Sequence, residues 1–294
     1  KLYKHFIRDN YDIIVSYLEG PTARIISGCT NPNTKLVSWI HIEQHTKELA
    51  SKSFRSYKEA LDCYSKFDRT VCVSDTVKDD FESIFDTKKP VEVLYNTNES
   101  EKIKKLSDEK VDDVNFSKDI INIISVAKIV PSKGYDRLMK IHKKLIEKNI
   151  KNHIYILGIG EEKEKYEKYL AENNLTDTFT FLGYRDNPYK YVKKADLYVC
   201  SSRREGFSTA VTEALIVGTP VVSTNCSGAY ELLGENNEYG IVTENDEDAL
   251  YEGIRKMLTT PDLLEAYAAK AKERGKAFST EKTVQATENM LLGI

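Results

Sequence analysis

The sequence lacks any long hydrophobic run. Its longest, Ile120 to Ala127 and Ala195 to Ser201, fall far short of the roughly 20 apolar residues a membrane-spanning helix needs, and no secretory signal opens it. A protein that is not integral to a membrane is expected. Net charge is nearly absent too: 43 basic against 46 acidic residues leave −3, without the broad basic field that a nucleic-acid backbone requires. Proline is scarce, at 7 residues, and nothing is low-complexity, which excludes disordered and fibrous classes. Cysteine is limited to Cys29, Cys63, Cys72, Cys200 and Cys226, an odd set with no metal-ligand spacing, as suits reduced thiols in a cytosolic protein. No Asp-x-Asp pair stands at a strand end: Asp79-Asp80 and Asp112-Asp113 lie in charged helix or linker surroundings, so no metal site is expected.

What is present is length and alternation. The 294 residues exceed the roughly 100 to 150 of a common single domain, so two domains are expected. Short apolar runs at Tyr11–Tyr17, Lys35–His41, Thr70–Val73 and Val91–Leu94 read as strands, with helical stretches between them, notably Thr46–Phe67 and a helix after Ser74. Residues 99 to 117 turn charged and read as a helix plus a solvated connection. Strand-like runs then restart at Ile120–Ala127, His153–Leu157, Phe179–Leu182, Leu197–Cys200 and Pro220–Ser223, alternating with helical segments. That alternation predicts doubly wound parallel α/β sheets. The expected boundaries are residues 1–98, joined by a C-terminal helix at about 280–294, and residues 99–279. Ligands of such sheets sit beyond the strand carboxyl ends, in a cleft between the two domains.

The richest segment is Ser201 to Pro220. Strand Leu197–Cys200 leads to Glu205, then Gly206-Phe207 lets backbone approach closely, Ser208 caps a helix, and Gly218-Thr219-Pro220 ends it. The amides of about Phe207, Ser208 and Thr209 at that helix N-terminus suit a phosphate. Glu205 and Glu213, eight positions apart, can face one side of it and accept hydrogen bonds from hydroxyls. A nucleotide sugar has that layout: ribose hydroxyls, diphosphate, sugar hydroxyls. Glu213 sits among Ala210, Val211, Ala214, Leu215 and Val217, so it is expected to be partly buried and to need a partner. A second cluster, AKIVPSKG from Ala127 to Gly134, places Lys128 and Lys133 where they reach a diphosphate.

AKIVPSKG, then FLGYRDN (Phe181–Asn187), then EGFSTAVTE (Glu205–Glu213) followed by EALIVGTPVVS resemble, in order, the motifs of glycosyltransferase family 4. The resemblance covers nearly the whole chain. It implies the GT-B fold, two Rossmann-like doubly wound domains facing across a cleft, and retaining transfer from a nucleoside-diphosphate sugar, commonly UDP-linked, to a glycan, glycolipid or protein acceptor. Carried over by position, Glu205 contacts the transferring sugar, Glu213 the ribose and Lys133 the diphosphate. Lys128 stands where the family has arginine, without that side chain's bidentate fork. Gly183, Tyr184 and Arg185 form the loop against which the base packs. His41, at the end of WIH, is placed beside the reacting sugar, with His45 as the weaker choice. The implied catalytic set is Glu205, His41 and Lys133, and Glu43 and Glu19 are candidate acceptor contacts.

One departure stands out: the family's opening strand and glycine-rich loop have no counterpart, so the N-terminal domain is expected to be truncated or abbreviated. No cofactor beyond the nucleotide sugar, no metal and no nucleic acid is implied. A cytoplasmic place in polysaccharide biosynthesis, with peripheral contact at the inner face of the cell membrane, is expected. That contact would run through a helix bearing Lys47, Lys52, Arg55 and Lys58. The rival readings are a GT-B nucleotide-sugar epimerase and a non-catalytic sugar-nucleotide-binding subunit.

Overall fold

The structure, a computed structural model, describes residues 2–294. The chain divides into two compact units, Lys1–Asn96 with Glu281–Ile294, and Thr97–Thr280.

In the first unit four parallel strands lie side by side in chain order: β1 (Ile13–Ser16), β2 (Lys35–Ile40), β3 (Arg69–Cys72) and β4 (Val91–Val93). After Lys35 every residue of β2 is buried, as happens when both faces of a parallel sheet are covered. The polar residues this leaves inside are satisfied across the sheet: the hydroxyls of Ser38 and Thr70 meet at 2.8 Å. Ser74 caps the helix Asp75–Ile84 by accepting from the Val77 amide at 3.2 Å. At the other end of the sequence, Arg69 Nη2 donates to the carbonyl of Gly293 at 2.9 Å, which ties the final residues to β3.

The single helix expected over Thr46–Phe67 is instead two, Lys47–Ala50 and Tyr57–Tyr64. Serine chemistry explains the break. Ser51 Oγ donates back to the Lys47 carbonyl at 2.7 Å, and Ser56 starts a new helix by accepting from the Glu59 amide at 3.2 Å. The basic residues Lys47, Lys52, Arg55 and Lys58 therefore do not share one helical face. Lys47 packs over the Tyr57 ring, 4.8 Å from its centroid.

The second unit holds six parallel strands: β5 (Ile121–Val126), β6 (Asn152–Leu157), β7 (Phe179–Gly183), β8 (Leu197–Cys200), β9 (Val221–Thr224) and β10 (Ile241–Thr243). Strand β10, three residues long, is absent from the sequence reading. The sheet order is β7-β6-β5-β8-β9-β10. From β5 the chain builds outward through β6 and β7, then returns to add β8, β9 and β10 on the other side. That reversal leaves an opening at the carboxyl ends of β5 and β8.

The core is aliphatic, with Ile123, Ile154, Leu197, Val199 and Val222 fully buried. Helix Tyr135–Glu147 lays Leu138, Ile141, His142 and Leu145 on it, the three-and-four spacing of an amphipathic face. His142 is tolerated there because its ring nitrogens meet Asn152 Oδ1 and Thr178 Oγ1, each at 2.8 Å. Burial pushes its pKa down to about 4.

Candidate functional site

Two loops meet over the opening between β5 and β8. The first leaves β5 through Ala127 and Lys128, makes a tight turn at Pro131–Lys133, and enters the next helix at Gly134 with φ of +69°. A side chain at Gly134 would place its Cβ 2.0 Å from the Ser201 carbonyl oxygen, so both the left-handed backbone and the close approach demand glycine. The second loop follows β8. Ser201 Oγ donates to the Lys133 carbonyl at 2.8 Å, and the Arg203 amide donates to the Ser132 carbonyl at 2.7 Å.

Beneath both loops lies Arg137, only 4% exposed. Its guanidinium donates to the Ser201 carbonyl from Nε (2.9 Å) and Nη2 (2.6 Å), to the Ser202 carbonyl (2.8 Å) and to Asn245 Oδ1 (2.9 Å). Burial lowers its pKa from the ordinary arginine value. Sequence reasoning missed this residue. Its partners are mostly backbone oxygens that the fold alone brings near, and no motif signals them.

On that braced frame Lys133 Nζ lies 2.6 Å from Glu205 Oε1, with both side chains largely buried. Ser202 Oγ donates to the same oxygen at 2.6 Å. Ser208 then caps the helix Thr209–Val217 by accepting from the Val211 amide at 3.4 Å. The first amides of that helix have no carbonyl within the helix to bond, and its dipole presents positive charge at this end. A cavity of about 320 Å³ unites these parts; Lys128, Lys133, Glu205, Ser208 and Thr209 all line it, with Phe207 at its wall. Gly206 lies between Glu205 and Phe207 in the same loop.

A second hollow of about 470 Å³ shares Val126, Ala127 and Lys128 with the first and continues past Ile159, Tyr184 and Tyr189. It is the more apolar of the two and suits a flat ring. Gly183 ends β7 with φ of +73°, after which Tyr184 stands 66% exposed. The Arg185 side chain turns away to Asp113, Nε to Oδ2 at 3.1 Å, and Tyr191 donates to the same carboxylate. Arg185 Nη1 also donates to the Tyr184 carbonyl at 3.1 Å, and the residue lines the hollow beside Tyr184.

The two glutamates of the motif do not share one cavity. Glu213 does not line the cavity of Glu205, and the Tyr189 hydroxyl donates to its Oε1 at 3.4 Å. Burial pushes its carboxyl up to about 7, and the Tyr189 hydrogen bond offsets only part of that. The expectation that Glu213 is partly buried and partnered matches this placement. Glu205 stands at the cavity holding Lys133, while Glu213, through Tyr189, adjoins the second hollow.

In the first unit, His41 follows β2. Its amide donates to Glu19 Oε2 at 3.1 Å, and its Nε2 is buried without a hydrogen-bond partner among the described residues. His45 differs. It holds a left-handed φ of +62°, its amide donates to Asp80 Oδ1 at 3.0 Å, and its side chain is 45% exposed. Asp80 also accepts from the Gln44 amide at 2.6 Å, so this carboxylate fastens a loop. Glu43 lies in that loop. No helix among the described residues is long and apolar enough to cross a membrane.

Comparison with known proteins bears on the whole arrangement. Residues 107–274 match the family described as "Glycosyl transferases group 1". The N-acetylgalactosamine-N,N'-diacetylbacillosaminyl-diphospho-undecaprenol 4-alpha-N-acetylgalactosaminyltransferase of Campylobacter jejuni is 30% identical over 290 residues, 97% of this chain and 74% of that protein. Among solved structures, Anabaena HepE in complex with UDP is similar at a TM-score of 0.80 and 16% identity, over 97% of this chain and 79% of that one. Sucrose-phosphate synthase of Thermosynechococcus elongatus is similar at 0.81 and 18% identity, over 99% and 76%.

Proposed function

The chain belongs to the group 1 glycosyl transferases and has the GT-B fold, and from that premise we propose that it moves a sugar from a UDP-linked donor to an acceptor with retention of anomeric configuration. The observation that carries the reading is the Lys133–Glu205 pair, 2.6 Å apart, at the N-terminus of the helix Thr209–Val217. In this structure each is the other's counter-charge. A nucleotide sugar brings both replacements at once, an anionic diphosphate for Lys133 and donating hydroxyls for Glu205, so the exchange leaves neither side chain without a polar partner.

On this reading the uracil lies in the hollow beside Tyr184, the ribose hydroxyls donate to Glu213, and the diphosphate rests on the helix amides with Lys133 and Lys128. The bond from anomeric carbon to phosphate oxygen breaks, and its electron pair goes to the diphosphate. The acceptor oxygen forms the new bond from the same face, and its proton passes to the departing phosphate oxygen. Lys133 and the helix amides stabilise the charge growing on that leaving group, which is the largest contribution a protein can make here. Glu205 positions the transferring sugar, and His41, in the first unit, keeps a buried ring nitrogen available to a sugar hydroxyl. This account needs no metal, so transfer that persists in EDTA is expected.

The Campylobacter protein's name makes UDP-N-acetylgalactosamine the first donor to try, and a polyprenyl-linked or other membrane-borne glycan the first acceptor. Such an acceptor would bring the chain to the cytoplasmic face of a membrane. The test is a thermal-shift panel. UDP and UDP-N-acetylgalactosamine should raise the melting temperature of the wild type and raise that of Lys133→Ala by much less, because stabilisation follows affinity at a given ligand concentration. Equal shifts in both proteins would overturn the reading.

A further inference from the structure

Asp113 belongs to the charged stretch that follows helix Ser100–Ser107, and the fold brings two partners to it from far along the chain. Arg185 reaches its Oδ2 from Nε and from Nη2, each at 3.1 Å. The Tyr191 hydroxyl donates to the same carboxylate, lying 2.8 Å from Oδ1 and 2.9 Å from Oδ2. Tyr191 is 2% exposed in helix Tyr189–Lys194, so packing fixes this end of the network. Held in this way, Arg185 turns its remaining Nη1 back onto the Tyr184 carbonyl.

The segment so fastened is a wall of the more apolar hollow, which Tyr184, Arg185, Asp186 and Tyr189 all line. Gly183 leaves β7 with a left-handed backbone and Tyr184 is largely exposed, so polar ties hold this segment more than packing does. Arg185 to Asp113 is one tie. Asn187 is another, its Nδ2 donating to the Leu106 carbonyl at 2.9 Å and to Glu109 Oε2 at 3.0 Å. The side chains of Arg185 and Asp113 are 33% and 44% exposed, and an ion pair so open to solvent adds little to folding. What it does fix is where Tyr184 and its backbone stand.

We infer that Asp113 is a positioning residue for the base of the nucleotide, acting through Arg185 on the wall of the hollow. Asp113 itself lies outside the hollow and touches no ligand there. Helix Tyr189–Lys194 carries the network on toward the ribose, since Tyr191 meets Asp113 and Tyr189 meets Glu213. Affinity for a nucleoside therefore depends on Asp113, whereas the grip of Lys133 on a diphosphate does not. This inference rests on the proposed transfer reaction, in which the uracil occupies this hollow.

Calorimetric titration with UDP and with inorganic pyrophosphate separates the two dependences. Asp113→Ala should weaken UDP about tenfold and leave pyrophosphate within about twofold of the wild type, with little change in the melting temperature of the unliganded protein. Asp113→Glu, which keeps the carboxylate, should recover part of the lost affinity. In turnover, the KM for the UDP-sugar should rise by a similar factor while kcat stays near that of the wild type. Arg185→Ala should cost as much as Asp113→Ala, and the double variant no more than either, because the two side chains act as one unit. Unchanged UDP affinity in Asp113→Ala overturns the inference. So does an equal loss for pyrophosphate, which marks a general loosening of the fold, and so do additive losses in the double variant. A wild type that binds pyrophosphate but not UDP sinks the placement of the uracil and this inference with it; one that binds neither sinks the transferase reading as a whole.

Discussion

At the carboxyl edge of the second sheet, Lys133 and Glu205 hold each other and Arg137 is wrapped in carbonyl oxygens. At the same edge of the first sheet, Trp39 and His41 each keep a buried nitrogen unpaired. A diphosphate is charged, so a rigid, pre-paired frame can receive it by exchanging partners. A sugar ring is neutral and met through hydroxyls and C–H faces. Ring nitrogens with spare hydrogen-bonding capacity suit it.

The sharpest way to break this contrast is Lys133→Ala. Removing the cation that faces the leaving group should slow transfer by about 10²- to 10³-fold, measured as kcat with UDP-N-acetylgalactosamine as donor. A loss under threefold would show that the charge is stabilised elsewhere. Next is Arg137→Met, which keeps the stem and strips the donors. Buried carbonyls left without partners should lower stability by about 3 kcal/mol in urea unfolding, where the exposed Arg255→Met should change little.

Protonation separates a buried residue beside the second sheet's site from one in its core by sign. The Glu213 carboxyl titrates near 7 in the folded protein, above its unfolded value, so folding favours its protonated form. Stability is therefore greatest below the unfolded pKa and declines as pH rises toward 7, by up to roughly 3 kcal/mol. Glu213→Gln should remove that decline and stabilise the ligand-free protein at pH 8, yet weaken UDP binding, since ribose hydroxyls donate to the carboxylate. His142 runs the opposite way. Its folded pKa near 4 lies below the unfolded value, so its contribution is complete above about 6.5 and is lost as pH falls toward 4. The smallest effect is expected at His45: His45→Gly suits the left-handed backbone and should alter transfer less than twofold, whereas His41→Ala should cost at least tenfold.

Much of this architecture is legible in the sequence because parallel strands buried on both faces read as largely apolar runs. Ile121–Val126, broken only by Asn122 and Ser125, and Leu197–Cys200 are examples, and Ser208 before an apolar helix announces its own cap. Strand β10 escaped because three residues carry no period. The break at Ser51 escaped because helical spacing continues through it, and only the serine hydroxyls interrupt the backbone. The pairing of Lys133 with Glu205 spans 72 positions, and that of Arg137 with Asn245 spans 108. Motif order hints at the first through chemistry, opposite charges on adjoining loops. Nothing in the local pattern hints at the second, since the Asn245 side chain and the Ser201 and Ser202 carbonyls reach Arg137 only through the sheet order. The spacing of Glu205 and Glu213 suggested one shared face, but Glu205 stands in the loop before the helix begins, where helical periodicity does not yet apply.

The claim on which the rest depends is that a diphosphate docks between Lys133 and the amino end of helix Thr209–Val217. A crystal structure with UDP tests it most directly. Phosphate oxygens should lie within hydrogen-bond distance of Lys133 Nζ and the Thr209 or Ala210 amide, with Glu205 released from Lys133. UDP bound elsewhere, over an intact Lys133–Glu205 pair, would contradict it.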